Sequence, residues 1–168
     1  MIKKVMRMSN NIYAGLVALI ICWSVSPFNL YGIVAFIVVF CYTAGGNTLN
    51  EFFDRKTYIE KNMVLKYALF FFTTGSVFLI IIPIYASIIA LFVMLLLLIY
   101  DIKFSLISKH LNLKNCIVAL STALVPIFAL TVVEGYNYIS GAIIISVILF
   151  GWQFYRERWK DIDEGITR

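Results

Sequence analysis

Charge is scarce in this chain. Of 168 residues, 14% are Asp, Glu, Lys or Arg, against roughly a quarter in a soluble domain. That shortage excludes an ordinary water-soluble globule. Histidine occurs once, at His110, which excludes a histidine-based metal module. The three cysteines, Cys22, Cys41 and Cys116, have no metal-type spacing and an odd count. A zinc site and a disulfide framework are both excluded on that arithmetic, leaving buried, unreactive thiols. Proline also occurs three times, and no low-complexity or linker tract divides the chain. We expect one membrane domain over 1–168.

What is present is apolar surface, at 62% of residues, in long runs separated by short charged stretches. A membrane span needs roughly 20 apolar residues to cross about 30 Å of hydrocarbon. The pattern gives an all-α, polytopic transmembrane bundle of six spans, near 12–28, 31–46, 67–83, 85–100, 116–133 and 138–155. From Tyr67 to Tyr100 there is no charge at all. That run is too long for one span, and Pro83 near its middle supplies the turn of a helical hairpin.

The basic residues then fall on one side. Lys3, Lys4 and Arg7 precede the first span. Arg55, Lys56, Lys61 and Lys66 lie between the second and third, and Lys103, Lys109 and Lys114 between the fourth and fifth. Arg156, Arg158, Lys160 and Arg168 follow the sixth. The opposite side carries short loops and one charge, Glu134. The positive-inside rule puts both termini and both large loops in the cytoplasm. The net charge of +5 is thus topological, with basic loops touching anionic headgroups, and argues for no nucleic acid partner. A cleaved signal peptide ending near Ser24-Val25-Ser26 is the other reading of the N-terminus. Against it, the apolar run continues to the turn at Pro27 and pairs with the second span.

The second span ends in polar residues. Asn47, Asn50, Glu51, Asp54 and Tyr58 recur at steps of three and four, which places them on one helical stripe. Polar groups at the edge of a membrane are costly and usually functional. Carboxylates with amide oxygens suit magnesium, which takes few protein oxygens and shares those of phosphates. A solvated helix end, with Asp54 paired to Arg55 or Lys56, explains the same spacing. The fourth span ends in Tyr100-Asp101-Ile102-Lys103, and a loop with Lys109, His110, Lys114 and Asn115 follows. After the sixth span, Glu157, Asp161 and Glu164 share a helical face. Two acidic helix ends with a basic loop between them match the needs of a diphosphate leaving group, metal on carboxylates and lysines on phosphate oxygens. The last segment also reads as a solvated charge cluster that stops the span.

At these motifs the chain resembles the UbiA superfamily of intramembrane prenyltransferases, whose second helix ends in N-D-x-x-D-x-x-x-D. Asn50-Glu51-Phe52-Phe53-Asp54-Arg55-Lys56-Thr57-Tyr58 matches at Asn50 and Asp54, with Glu51 a conservative replacement and Tyr58 in place of the last aspartate. Tyr100, Lys109, His110 and Asn115 fit the family's Tyr-led basic loop, with Lys114 where glycine is usual. Asp161 and Glu164 take the first two positions of its second acidic motif, and Arg168 falls where the third would be. The Arg-Pro that usually follows the first motif is replaced by Lys61-Asn62-Met63.

The resemblance implies magnesium-dependent transfer of a prenyl group from a prenyl diphosphate to an aromatic or lipid acceptor in the bilayer. It implies metal on Asn50, Glu51, Asp54, Asp161 and Glu164. Substrate would be bound by Asn47, Asn50, Tyr100, Lys109 and Asn115, with Asp54, Asp161, Lys103 and Lys109 as the catalytic set. An apolar tunnel would hold the isoprenoid tail, and tunnel-lining and lipid-facing residues are alike in the sequence. The sequence stops at the second acidic motif, about three helices short of the family's usual length. That raises a non-catalytic shortened relative, or completion by a second copy or a membrane partner, as alternatives. A six-span binding or transport subunit is disfavoured, because no charge sits mid-span. A CDP-alcohol phosphatidyltransferase is disfavoured because Arg55, not glycine, follows Asp54.

Overall fold

The structure, a computed structural model, describes residues 8–54, 60–104 and 111–163. Six long helices account for nearly all of them: α1 (Met8–Val25), α2 (Leu30–Asp54), α3 (Lys61–Phe78), α4 (Ile84–Phe104), α5 (Leu111–Val132) and α6 (Ile139–Asp163). A single 3₁₀ turn, Tyr136–Tyr138, precedes α6. No strand occurs among the described residues.

Local chemistry sets the helix boundaries. Asn29 caps α2, its Oδ1 accepting the Tyr31 N–H at 2.9 Å while its Nδ2 reaches Ser26 Oγ at 3.2 Å. Pro83 ends the turn after α3 and precedes α4. There Ser87 Oγ donates to the carbonyls of Leu79, at 2.9 Å, and Pro83, at 3.3 Å, tying the turn to the first turn of α4. At the end of α5, Gly135 N–H bonds to Leu130 O at 2.8 Å and Glu134 N–H to Thr131 O at 3.4 Å. These two bonds make a Schellman stop, in which the residue after the helix turns left-handed. Glu134 holds that position with φ 53°, where glycine would be free of strain. We therefore expect Glu134→Gly to stabilise the protein by about 1 kcal/mol, read as a raised thermal midpoint in lipid. An unchanged or lowered midpoint would contradict that.

Four of the helical stretches are each long and apolar enough to cross a membrane: Met8–Val25, Leu30–Phe53, Asn115–Val132 and Tyr136–Trp159. A shorter apolar stretch, Ile84–Tyr100, lies in α4. α3 opens on Lys61, Asn62 and Lys66, so its apolar run begins only at Tyr67. The packing follows a membrane pattern, in which small residues sit inside and large ones face the lipid. Ala18, Ala35, Ala44, Ala86, Ala119 and Ala129 are buried completely, while Ile80 and Phe28 are more than four-fifths exposed. On α6, Trp152, Tyr155 and Trp159 recur at steps of three and four and are all exposed, as an aromatic belt at a headgroup boundary would be. Tyr136 and Tyr138 are exposed at the other end of that helix. The rise from Tyr138 to Tyr155 is about 26 Å at 1.5 Å per residue, close to the hydrocarbon thickness.

α2 is the central helix and packs against α1, α3, α4 and α5. Glycine permits the close approaches: a Cβ on Gly15 would meet the Phe36 ring at 2.8 Å, and one on Gly75 would meet Tyr42 at 2.6 Å. Three buried hydroxyls are satisfied within their own helices. Thr48 Oγ1 donates to Ala44 O at 2.7 Å, Ser121 Oγ to Ile117 O at 2.9 Å and Thr131 Oγ1 to Phe128 O at 2.7 Å. α5 tolerates Pro126 in its interior as membrane helices do. α6 packs on α5 and leaves Ile144, Val147 and Ile148 about two-thirds exposed.

Candidate active site at the polar end of the bundle

Short turns join α1 to α2, α3 to α4 and α5 to α6, and α2 packs on α3 as α4 packs on α5. The chain therefore runs up and down. The end of α2, the end of α4, the start of α5 and the end of α6 come to one end of the bundle, with the start of α1. α2 continues unbroken to Asp54. Its 25 residues rise about 37 Å, so its last turn and a half extends past a hydrocarbon layer of about 30 Å. Helical geometry over this whole segment puts Asn47, Asn50, Glu51 and Asp54 on one stripe, as their spacing predicts.

Asn47, Asn50 and Glu51 are half-buried, while their neighbours Thr48 and Leu49 are buried. Phe52 and Phe53 face each other edge-on at 5.1 Å between ring centroids and pack against the core. Lys61 at the start of α3 places its Nζ 5.7 Å from the Phe52 ring centroid. These apolar anchors fix the rotation of the helix end, so that the amide and acid groups occupy the remaining face.

Asn47 Nδ2 donates to Asn11 Oδ1 at 2.7 Å. Asn11 lies in the first turn of α1 and is fully buried. The motif spacing does not reveal this residue, which lies one position before the first apolar run at Ile12. The signal was there: Asn11, Gly15, Ala18 and Cys22 recur at steps of four, three and four and form the buried stripe of α1.

Tyr100 is half-buried near the end of α4, and Asn115 is buried in the second turn of α5. α5 starts at Leu111, so Asn115 sits within a helix and not in the loop before it. α2 and α6 both pack on α5, which makes α5 the helix shared by the two acidic ends. On α6, Gln153 Nε2 donates to Glu157 Oε1 at 3.0 Å, one turn apart. The backbone positions of Asp54, Lys103 and Asp161 are on α2, α4 and α6, while their side chains lie outside the described residues. Tyr58, Lys109 and Glu164 lie wholly outside them.

Among the described residues, no group of three or more His, Cys, Asp or Glu converges. The donor set on α2 is of another kind, two amide oxygens and the Glu51 carboxylate on one face. It fits a hard cation such as magnesium, which shares its coordination with water and phosphate.

A digeranylgeranylglyceryl phosphate synthase of membranes has a similar solved structure. It superposes with a TM-score of 0.71 over 98% of this chain and 63% of that one, at 27% sequence identity. This chain has the UbiA-type prenyltransferase fold. The UbiA-type fold thus accounts for the whole described bundle, and the chain spans a little under two-thirds of that synthase. No protein-family model matches the sequence. No curated protein sequence matches it either.

Proposed function

We infer that this protein transfers a prenyl group from a prenyl diphosphate to a hydrophobic acceptor, an aromatic ring or a lipid hydroxyl, inside the membrane. The observation that carries this function is the amide and acid face at the end of α2, set in a UbiA-type fold. The reaction breaks the bond between the allylic carbon and the diphosphate oxygen, and the diphosphate leaves with the electron pair. The acceptor forms the new bond to the allylic carbon and loses its proton. Such chemistry is promoted by groups that stabilise charge on the departing oxygens.

Asn50, Glu51 and Asp54 would hold magnesium on α2, with Asp161 and Glu164 doing so from α6. When bound, magnesium would neutralise the phosphate oxygens. Lys103 and Lys109 would meet the same oxygens as cations, and Tyr100 and Asn115 would position the substrate. The apolar bundle beneath would accept the isoprenoid tail and keep water from the allylic cation.

All six helices cross the bilayer in this assignment, with both termini and the two basic loops in the cytoplasm. Cysteines introduced at position 56 or 109 should resist an impermeant thiol reagent added outside intact cells and react once the membrane is opened. Labelling from outside would reverse the orientation and move the site to the wrong face. The function itself is tested by titrating magnesium against geranylgeranyl diphosphate binding to the protein in lipid nanodiscs. Binding should tighten with magnesium; equal affinity with and without it would refute the metal-bridged site.

A further inference from the structure

Asn11 lies outside every motif discussed above, yet it is fully buried and hydrogen-bonds the Asn47 amide of the candidate site. We propose that Asn11 is a positioning residue that turns Asn47 toward a cation, so that Asn47 serves the magnesium side of the site and not the phosphate. The inference rests on the magnesium-dependent prenyl diphosphate function given above and assigns one residue's role within it.

The 2.7 Å bond directs the Asn47 amide nitrogen at Asn11 Oδ1 and engages one of its two N–H donors. The oxygen and nitrogen of a carboxamide diverge by about 120°, so Asn47 Oδ1 points away from α1. The residues one turn further along α2 are Asn50 and Glu51. With the nitrogen turned to Asn11, the atom on the diverging side of the Asn47 amide is its oxygen, an acceptor. An acceptor oxygen repels a phosphate oxygen and attracts a metal ion or the hydrogens of its bound water. With the amide reversed, the same side chain would present a donor and favour phosphate instead.

Asn11 can impose this choice because it is held firmly. Gly15, one turn later on the same stripe of α1, lets the Phe36 ring of α2 come so close that a Cβ would meet it at 2.8 Å. Two further turns on, Cys22 Sγ contacts Ala129 O of α5 at 3.2 Å. Ala18 between them is fully buried. α1 is thereby fixed in depth and rotation against α2, and the buried Asn11 with it. Groups that orient a metal's ligands typically change its affinity by roughly tenfold to a hundredfold when lost.

The test compares wild type with Asn11→Leu and Asn11→Asp in nanodiscs, reading the magnesium midpoint for geranylgeranyl diphosphate binding and, separately, the thermal midpoint. Leucine is of similar size and removes the acceptor, so the magnesium midpoint should rise roughly tenfold or more. Aspartate keeps an acceptor for Asn47 Nδ2, and the midpoint should return to near that of wild type. On an Asn47→Leu background, Asn11→Leu should cause no further rise, since its effect passes through Asn47. Should Asn11→Leu not fold, Asn11→Ala removes the acceptor without adding bulk and is read in the same way. A leucine variant whose thermal midpoint falls while its magnesium midpoint stays at the wild-type value would overturn the inference alone. A rise undiminished by Asn47→Leu would also overturn it. Absence of magnesium-dependent binding in wild type would remove the proposed function and this role together.

Discussion

Asp54→Ala should abolish most of the magnesium dependence of prenyl diphosphate binding. Asp54 stands at the last residue of α2, four residues after Asn50 and three after Glu51, and so on their face of the helix. With Glu51 it is one of two carboxylates on the stripe, stronger oxygen donors than the amides, and magnesium bridges protein carboxylates to phosphate oxygens. Removing it takes away a charge and a ligand, so the loss should reach at least the roughly tenfold to hundredfold seen for groups that merely support a ligand. Affinity in the absence of magnesium should change little. Lys103→Ala and Lys109→Ala should behave differently. Each removes a cation that meets phosphate directly, so binding should weaken at every magnesium concentration while the magnesium effect persists. An Asp54→Ala protein with the wild-type magnesium response would place the metal elsewhere.

The second large effect is structural. Gly75→Ala should destabilise the bundle by about 1–3 kcal/mol, the usual cost of forcing an extra group into a packed interior. A Cβ at position 75 would lie 2.6 Å and 2.7 Å from carbons of the Tyr42 ring and 3.2 Å from Cys41 Cβ. Tyr42 cannot swing aside freely. Its ring packs at 6.1 Å from that of Phe72, its hydroxyl shares a hydrogen bond with Ser76 Oγ at 3.2 Å, and it is buried. The α2–α3 interface must therefore open. Gly75→Ala and Tyr42→Ala should be less than additive when combined, because the second change makes room for the first. Unfolding in mixed micelles gives the three values. Strict additivity would mean that the close approach of the two helices carries no strain.

Much of the fold was legible because a membrane helix writes itself as an uninterrupted apolar run. The turn at Pro83 was legible for the same reason, since α3 and α4 share one uncharged stretch that needed a break. Helix ends were less so. α2 reaches Asp54 and α6 reaches Asp163, well past the points where their apolar runs stop, because polar residues at a headgroup boundary remain helical. α5 likewise begins at Leu111, before its apolar run starts at Cys116. The stripe of Asn47, Asn50 and Glu51 was legible from helical spacing alone. Its partner Asn11 was not, because a single amide at the edge of a span looks like flanking sequence until a second helix is laid against it. The distinction between lipid-facing and interior residues was also hidden. Ile80 and Val64 are both apolar, yet one is 85% and the other 1% exposed; only the packing of α2 against its neighbours decides which is which.

The central claim is prenyl transfer, and its most direct test follows a labelled allylic chain. The protein in lipid nanodiscs is given magnesium, geranylgeranyl diphosphate labelled in its isoprenoid and a panel of aromatic and lipid hydroxyl acceptors. The label should pass into a solvent-extractable, phosphatase-resistant product, with one diphosphate released for each chain transferred, and chelation of magnesium should stop both. Label that stays on the diphosphate, or is released only as the free alcohol with every acceptor, would contradict transfer as the function of this protein.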